Sequence, residues 1–132
     1  MDISICVFDV KKNVVQYAGA FRPLVYIRDN KLSELKGSRN PIGGNAPSDF
    51  VYELNEFKVL PGDVFYMFSD GYPDQFGGMK GKKFMNKRLK QLFIDNHKKS
   101  PDDQREILKK EFYKWMGDEE QIDDILVMCM QF

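Results

Sequence analysis

Two short apolar runs, each bordered by an acidic residue, most strongly constrain how this chain folds. Val64–Phe68 contains five apolar residues and is followed at once by Ser69 and Asp70, while residues 125–130 are wholly apolar and follow the pair Asp123 and Asp124. A run of five residues rich in aromatic side chains is too short for a buried helix and is typical of a central strand. The second run predicts a strand that is covered on both faces. The carboxylates therefore stand at the ends of two predicted strands.

The first half of the chain also predicts β-structure. Residues 3–9 and 14–17 form a predicted hairpin around a short polar turn, and a loop is predicted over residues 38–48, where glycine and proline are frequent. Further strands are predicted over residues 23–27, 32–35 and 50–57, the last because apolar and polar residues alternate there.

The second half predicts two helices before the final strand. The first is amphipathic, with one apolar stripe formed by Phe84, Met85, Leu89, Leu92 and Phe93. The second begins at Ser100 as the N-cap, with Pro101 at the first helical position, and stops at Gly117.

These elements predict an α+β fold in which an antiparallel β-sheet is covered by two helices, within a single domain over residues 1–132. Because the helices provide one outer layer only, an apolar sheet face is left without a cover. Such a face predicts self-association, or burial by a partner or by another segment.

Charge and hydropathy exclude several classes of protein. The 20 Lys and Arg residues balance 20 Asp and Glu residues, which argues against a nucleic-acid-binding protein. No apolar run approaches the roughly 18 residues that a membrane span needs, and the first residues lack a basic signal-peptide region. The sequence therefore predicts a cytoplasmic chain without a membrane span. Cys6 and Cys129 lie in apolar runs, and we expect both to be reduced, buried thiols.

The acids at the strand ends are candidates for a metal site. Gly71 permits a tight bend directly after Asp70. Asp70 follows its predicted strand, whereas Asp123 precedes its predicted strand. If the two strands are antiparallel neighbours, these acids meet at one end of the sheet and suit Mg²⁺ or Mn²⁺. On spacing alone the alternative stays open that Asp70 caps a turn and that Asp123 and Asp124 are solvated loop acids.

Other polar features have simpler interpretations. Residues 80–99 carry eight Lys or Arg residues against Asp95, which indicates either a solvated helix face or a docking surface for an acidic partner. His97 is predicted to be a solvated loop residue.

Several motifs together resemble the bacterial SpoIIE-like branch of the type 2C superfamily, the metal-dependent serine/threonine phosphatases. That branch has a Pro-Gly-Asp turn, an apolar strand that ends in (Ser/Thr)-Asp-Gly, and a final Asp-Asp before an apolar strand. The matching stretches are LPGDVFYMFSDGYPDQFGG, GKKFMNKRLKQLF and GDEEQIDDILVMCMQF, with YAGAFRPLVYIRD and NPIGG in the first half. The resemblance spans nearly the whole chain and implies part of an α/β/β/α sandwich.

Carried over residue by residue, the resemblance implies that Asp70 and Asp123 bind metal. Gly71, Asp74 and Asp124 are then the neighbours that support these ligands. The family uses two Mn²⁺ or Mg²⁺ ions and a bridging hydroxide to hydrolyse phosphoserine or phosphothreonine in a phosphoprotein substrate. The resemblance thus implies a protein phosphatase acting in bacterial signal transduction.

The family's upstream metal acids have no match in this sequence. We therefore expect the chain to be the carboxyl-terminal part of a catalytic domain, whose partner is a missing upstream half-domain or sensor region. Alone, it is predicted to be inactive. The competing hypothesis is a non-catalytic phosphatase-like module that binds a signalling partner through its exposed sheet or basic face.

Overall fold

The computed structural model describes residues 1–44, 47 and 49–132, so part of the predicted loop over residues 38–48 lies outside the described residues. The described chain divides into two compact units. One comprises Met1–Met67 with Gln131–Phe132, and the other comprises Phe68–Met130.

The first unit is built from antiparallel strands. They are β1 (Ile3–Asp9), β2 (Val14–Ala20), β3 (Leu24–Arg28), β4 (Lys31–Leu35), β5 (Asn55–Lys58) and β6 (Val64–Phe68), of which the last residue belongs to the second unit. One sheet has the order β1-β2-β5, and β3 lies between β4 and β6 in the other. The predicted hairpin is confirmed, because Asp9 pairs with Val14 and Ile3 with Ala20.

Aromatic side chains from both sheets form the core of this unit. The ring of Phe57 on β5 lies 5.5 Å from Tyr26 on β3 and 5.5 Å from Phe65 on β6. Phe132 packs edge-on against Phe65 at 5.4 Å. Tyr17 is fully buried, and its hydroxyl donates to the carbonyl of Arg22.

The predicted strand over residues 50–57 is wrong for most of its length, because β5 begins only at Asn55. Val51 is 84% exposed, and the ring of Phe50 packs on that of Tyr52, whose hydroxyl donates to the Pro41 carbonyl at 2.6 Å. The alternating pattern therefore belongs to a loop that is held by aromatic and hydroxyl contacts.

The second unit contains the helices and two very short strands. Its elements are α1 (Gly71–Asp74), β7 (Phe76–Gly77), β8 (Lys82–Lys83), α2 (Asn86–Asn96), α3 (Pro101–Met116) and β9 (Val127–Gln131), of which Gln131 belongs to the first unit. Both predicted limits of α3 are confirmed. The Asp103 amide donates to the Ser100 hydroxyl at 3.1 Å, and Gly117 ends the helix with a φ of 57°.

Tyr72 is central to the packing of the second unit. Its ring lies 5.0 Å from both Phe84 and Phe112, and its hydroxyl donates to the Leu108 carbonyl at 2.7 Å. Burial raises the pKa of Tyr72 well above its usual range, so the phenol stays protonated.

Three further predictions need correction. His97 is buried at the end of α2, with its Nδ1 2.6 Å from the Ile94 carbonyl, and is not a solvated loop residue. Residues 125–130 are not covered on both faces, because Leu126 and Met128 are exposed. Cys6 and Cys129 are free thiols, as predicted, but they are half-buried and not buried.

The α+β class with antiparallel sheets is confirmed. Among the residues that the structure describes, no helix has the length and hydropathy needed to cross a membrane.

Candidate metal site

Gly71 brings the Asp70 segment into direct contact with the Asp123-Asp124 segment. A Cβ atom at Gly71 would lie 2.3 Å from the Asp124 carbonyl oxygen and 3.2 Å from that of Asp123. Real Cβ atoms do not approach other atoms so closely, so a larger side chain would push the two segments apart. Glycine here is required by close approach of two backbones.

Ser69 ties the same segments together by hydrogen bonds. Its amide donates to the Leu126 carbonyl at 3.0 Å, its hydroxyl donates to the Asp124 carbonyl at 2.8 Å, and the Leu126 amide donates to that hydroxyl at 3.0 Å. The two segments thus hold a fixed register around the acids.

Helix α1 leads away from the contact. The Asp74 amide donates to the Asp70 carbonyl at 2.9 Å, which closes the single turn of this helix. The Asp74 carboxylate forms a partly exposed ion pair with the Lys83 ammonium at 3.1 Å. That pairing ties Asp74 to the β7–β8 hairpin, and its support of a metal ligand stays a prediction.

The neighbouring acids Asp123 and Asp124 are exposed, and hydrogen bonds order their backbone. The Asp124 amide donates to Asp123 Oδ1 at 2.7 Å, and the Gln121 side chain donates to the Asp123 carbonyl at 2.9 Å. Both carboxylates lie at the surface, and Asp70 is half-buried.

The donor chemistry of this site fits a hard cation. Carboxylate and carbonyl oxygens are the ligands that Mg²⁺ and Mn²⁺ prefer, and Mg²⁺ often keeps several waters beside one or two carboxylates. Across residues 1–44, 47 and 49–132, however, no three His, Cys, Asp or Glu residues are grouped so that they could hold a metal ion. The described acids therefore suit part of a metal site and fall short of a two-metal cluster.

Gln75 is a structural residue that the sequence analysis missed. Its side-chain amide is buried and donates to the Glu120 carbonyl at 2.8 Å, while its main-chain carbonyl accepts from the Trp115 indole at 3.0 Å. The residue therefore links α1 to the segment that leads into Asp123. Its position directly after the Asp70 motif was the available signal.

A separate cavity of about 530 Å³ lies within the second unit. Its walls include Tyr72, Leu108, Phe112, Val127 and Cys129, with Arg105 and Lys109 among the polar lining residues. Asp70, Asp123 and Asp124 are not part of its lining, so the candidate metal site is distinct from this cavity.

Comparison with known proteins assigns this arrangement to a family. A family model described as "Stage II sporulation protein E (SpoIIE)" matches residues 1–132. A search of curated proteins finds no match.

Solved structures agree with the family match. The SiaA-PP2C domain of Pseudomonas aeruginosa superposes with a TM-score of 0.88 at 29% identity, over 99% of this chain and 51% of that chain. A structure of the PP2C phosphatase domain and a regulatory-domain fragment of SpoIIE from Bacillus subtilis gives 0.75 at 19% identity, over 99% and 37%. A serine/threonine phosphatase of S. agalactiae gives 0.57 at 14% identity, over 91% and 55%.

The matches at 19% and 14% identity show a shared fold and no more. The present chain spans about half the length of the SiaA domain that it matches.

Proposed function

This chain belongs to the stage II sporulation protein E (SpoIIE) family, and from that premise we propose that it forms the carboxyl-terminal part of a metal-dependent protein serine/threonine phosphatase domain. Its place would be a cytoplasmic bacterial signalling pathway, and its substrate a phosphoprotein. The observation that supports the proposal is the backbone contact of Gly71 with Asp123 and Asp124, because it joins the chain segments that contain the acids of both motifs.

In this proposal Asp70 and Asp123 hold Mn²⁺ or Mg²⁺, and Gly71, Asp74 and Asp124 support them. A bound ion of this kind lowers the pKa of a coordinated water and offsets the charge on phosphoryl oxygens. The chain's own contribution is to hold the acids in place. The Ser69 hydrogen bonds and the Gly71 contact fix their backbones, and the exposure of Asp123 leaves the site open to a large substrate.

Activity requires more ligands than the described residues bring together. We therefore expect the isolated chain to show no turnover of a phosphoserine peptide at saturating Mn²⁺, since a two-metal reaction needs both ions positioned at once. Turnover that scales with the isolated chain and is lost in Asp70→Asn would contradict the expectation that this chain alone is inactive.

The proposal itself is tested in the full-length gene product. We expect Mn²⁺-dependent release of phosphate from a phosphoserine peptide, with a loss of at least roughly a hundredfold in Asp70→Asn and in Asp123→Asn. Asp118→Asn is the matched control, since it removes an exposed carboxylate just after α3. Equal activity in all four proteins would overturn the assignment of these acids.

A non-catalytic interaction module is the second candidate, and exposed apolar residues favour it. Ile5 and Val7 on β1 are 50% and 54% exposed, and they share one face of the strand. A full-length protein that binds no Mn²⁺ and hydrolyses no phosphopeptide, but self-associates through this face in light scattering, would favour the module. Ile5→Ser would then restore the monomer.

A further inference from the structure

We propose that Ser69 is a positioning residue of the candidate metal site, and that its hydroxyl sets the place of Asp123 and Asp124 relative to Asp70. The inference rests on the proposed function for the identity of the site. It adds a role for a residue that carries no metal-binding group of its own.

The hydrogen bonds of Ser69 form a closed arrangement. The main-chain bond from its amide reaches the Leu126 carbonyl and does not involve the Asp124 peptide. The hydroxyl supplies that anchor, because it donates to the Asp124 carbonyl and accepts from the Leu126 amide at once. A hydroxyl can do both, since it has one donor hydrogen and two acceptor lone pairs.

The exposure of Asp123 and Asp124 increases the importance of the Ser69 hydroxyl for the position of their backbone. Asp123 and Asp124 are exposed, so burial contributes little to their position. Their backbone also lies against Gly71, where it makes a van der Waals contact without a side-chain hydrogen bond. The hydrogen bond from the Ser69 hydroxyl to the Asp124 carbonyl is therefore a main attractive contact between the Asp70 segment and the Asp124 backbone.

The hydrogen-bonding capacity of the side chain distinguishes two variants of Ser69. Alanine removes both hydroxyl bonds, whereas threonine keeps a hydroxyl that can make them. Ser38→Ala is the matched control, because the Ser38 hydroxyl accepts from the Glu53 amide at 3.2 Å and belongs to the first unit. If the hydroxyl positions the acids, alanine and threonine at position 69 will differ although both fold.

The experiment has two readouts on the 132-residue chain. The first is amide hydrogen exchange of residues 120–126 without metal, which should become about fivefold faster in Ser69→Ala. The second is Mn²⁺ affinity from the shift in melting temperature, which should fall about tenfold, as is usual when a group behind a metal ligand is lost. Ser69→Thr should stay within about twofold of the wild type in both, and Ser38→Ala should change neither.

Failure of the positioning role and failure of the proposed metal site give different experimental results. Unchanged exchange in Ser69→Ala, or equal defects in the alanine and threonine variants, would overturn the positioning role. A wild-type chain that shows no Mn²⁺ response would count against the metal site alone. The exchange readout would still decide whether the hydroxyl positions the acidic segment.

Discussion

The two ends of strand β6 use aspartate in opposite ways. Asp63, just before the strand, is 1% exposed and accepts two hydrogen bonds from the Arg28 guanidinium, at 2.9 and 2.6 Å. The Leu60 amide adds a third at 2.8 Å. After the strand, Asp70 is half-buried and lies in the segment that contacts the exposed pair Asp123 and Asp124.

Asp63 is a structural acid, whereas Asp70, Asp123 and Asp124 are the candidate ligands. Burial alone would raise the pKa of Asp63, but the Arg28 hydrogen bonds, the Leu60 amide and the Arg28 charge together lower it. The positive charge of Arg28 therefore already balances the negative charge of the Asp63 carboxylate. After the strand, the segments that contain Asp70, Asp123 and Asp124 are in backbone contact, and Asp123 and Asp124 are exposed.

Loss of Arg28 should have the largest effect on stability. Arg28→Ala leaves the Asp63 carboxylate buried without its guanidinium, and we expect a loss of about 3 kcal/mol in the free energy of unfolding. Urea denaturation measures it. Lys12→Ala, which breaks the exposed pair with Asp9, is the control and should cost less than about 1 kcal/mol. Equal losses would contradict the structural role of Asp63.

Gly71→Ala should have the next largest effect, since its methyl group collides with backbone atoms of Asp124. Overpacking of this kind costs about 1–3 kcal/mol, and here it also displaces the acids. Gly43→Ala is the control. Its φ of 74° makes alanine strained, but no atom lies within 4 Å, so it should leave any Mn²⁺ response unchanged. A Gly71→Ala protein of wild-type stability would contradict the close contact.

The acid side of the stability profile should report Asp63. Because its pKa is lowered in the folded state, its stabilising contribution is present above the ordinary range near pH 3.9 and is lost as pH falls through the lowered value. The difference in unfolding free energy between wild type and Asp63→Asn should therefore shrink below about pH 4. A difference that stays constant from neutral to strongly acidic pH would refute this linkage.

Asp123→Asn should have the smallest effect on stability without metal. The side chain is exposed, and surface substitutions of this kind usually change stability little. The urea midpoint should match that of the wild type. A marked destabilisation would mean that Asp123 is a structural acid like Asp63, and the contrast between the two ends would disappear.

The sequence predicted those features that depend on neighbouring residues. The β1–β2 hairpin, the apolar strand β6 and the limits of α3 follow from local periodicity and caps, and the structure confirms them. The exposed residue Val51 shows where alternation failed, because a strand also needs a partner, and within residues 50–57 the pairing with β2 begins only at Asn55.

Long-range contacts explain the rest of what was missed. Arg28 and Asp63 lie 35 positions apart, and no local pattern indicates that they pair. Helix α1 spans only four residues, too few for helical periodicity to be visible. Approach of the Asp70 and Asp123 segments was predicted from strand ends and family resemblance, but the steric need for Gly71 and the hydroxyl contacts of Ser69 required the structure.

The most direct test of the central claim is a Mn²⁺ titration of the melting temperature. Wild type and Asp118→Asn should show the same rise with Mn²⁺, because an ion that binds the folded chain stabilises it, and the weak affinity should reflect a partial ligand set. Asp70→Asn and Asp123→Asn should lose most of that rise. An equal rise in all four proteins would show that Mn²⁺ binds elsewhere and would contradict the assignment of this site.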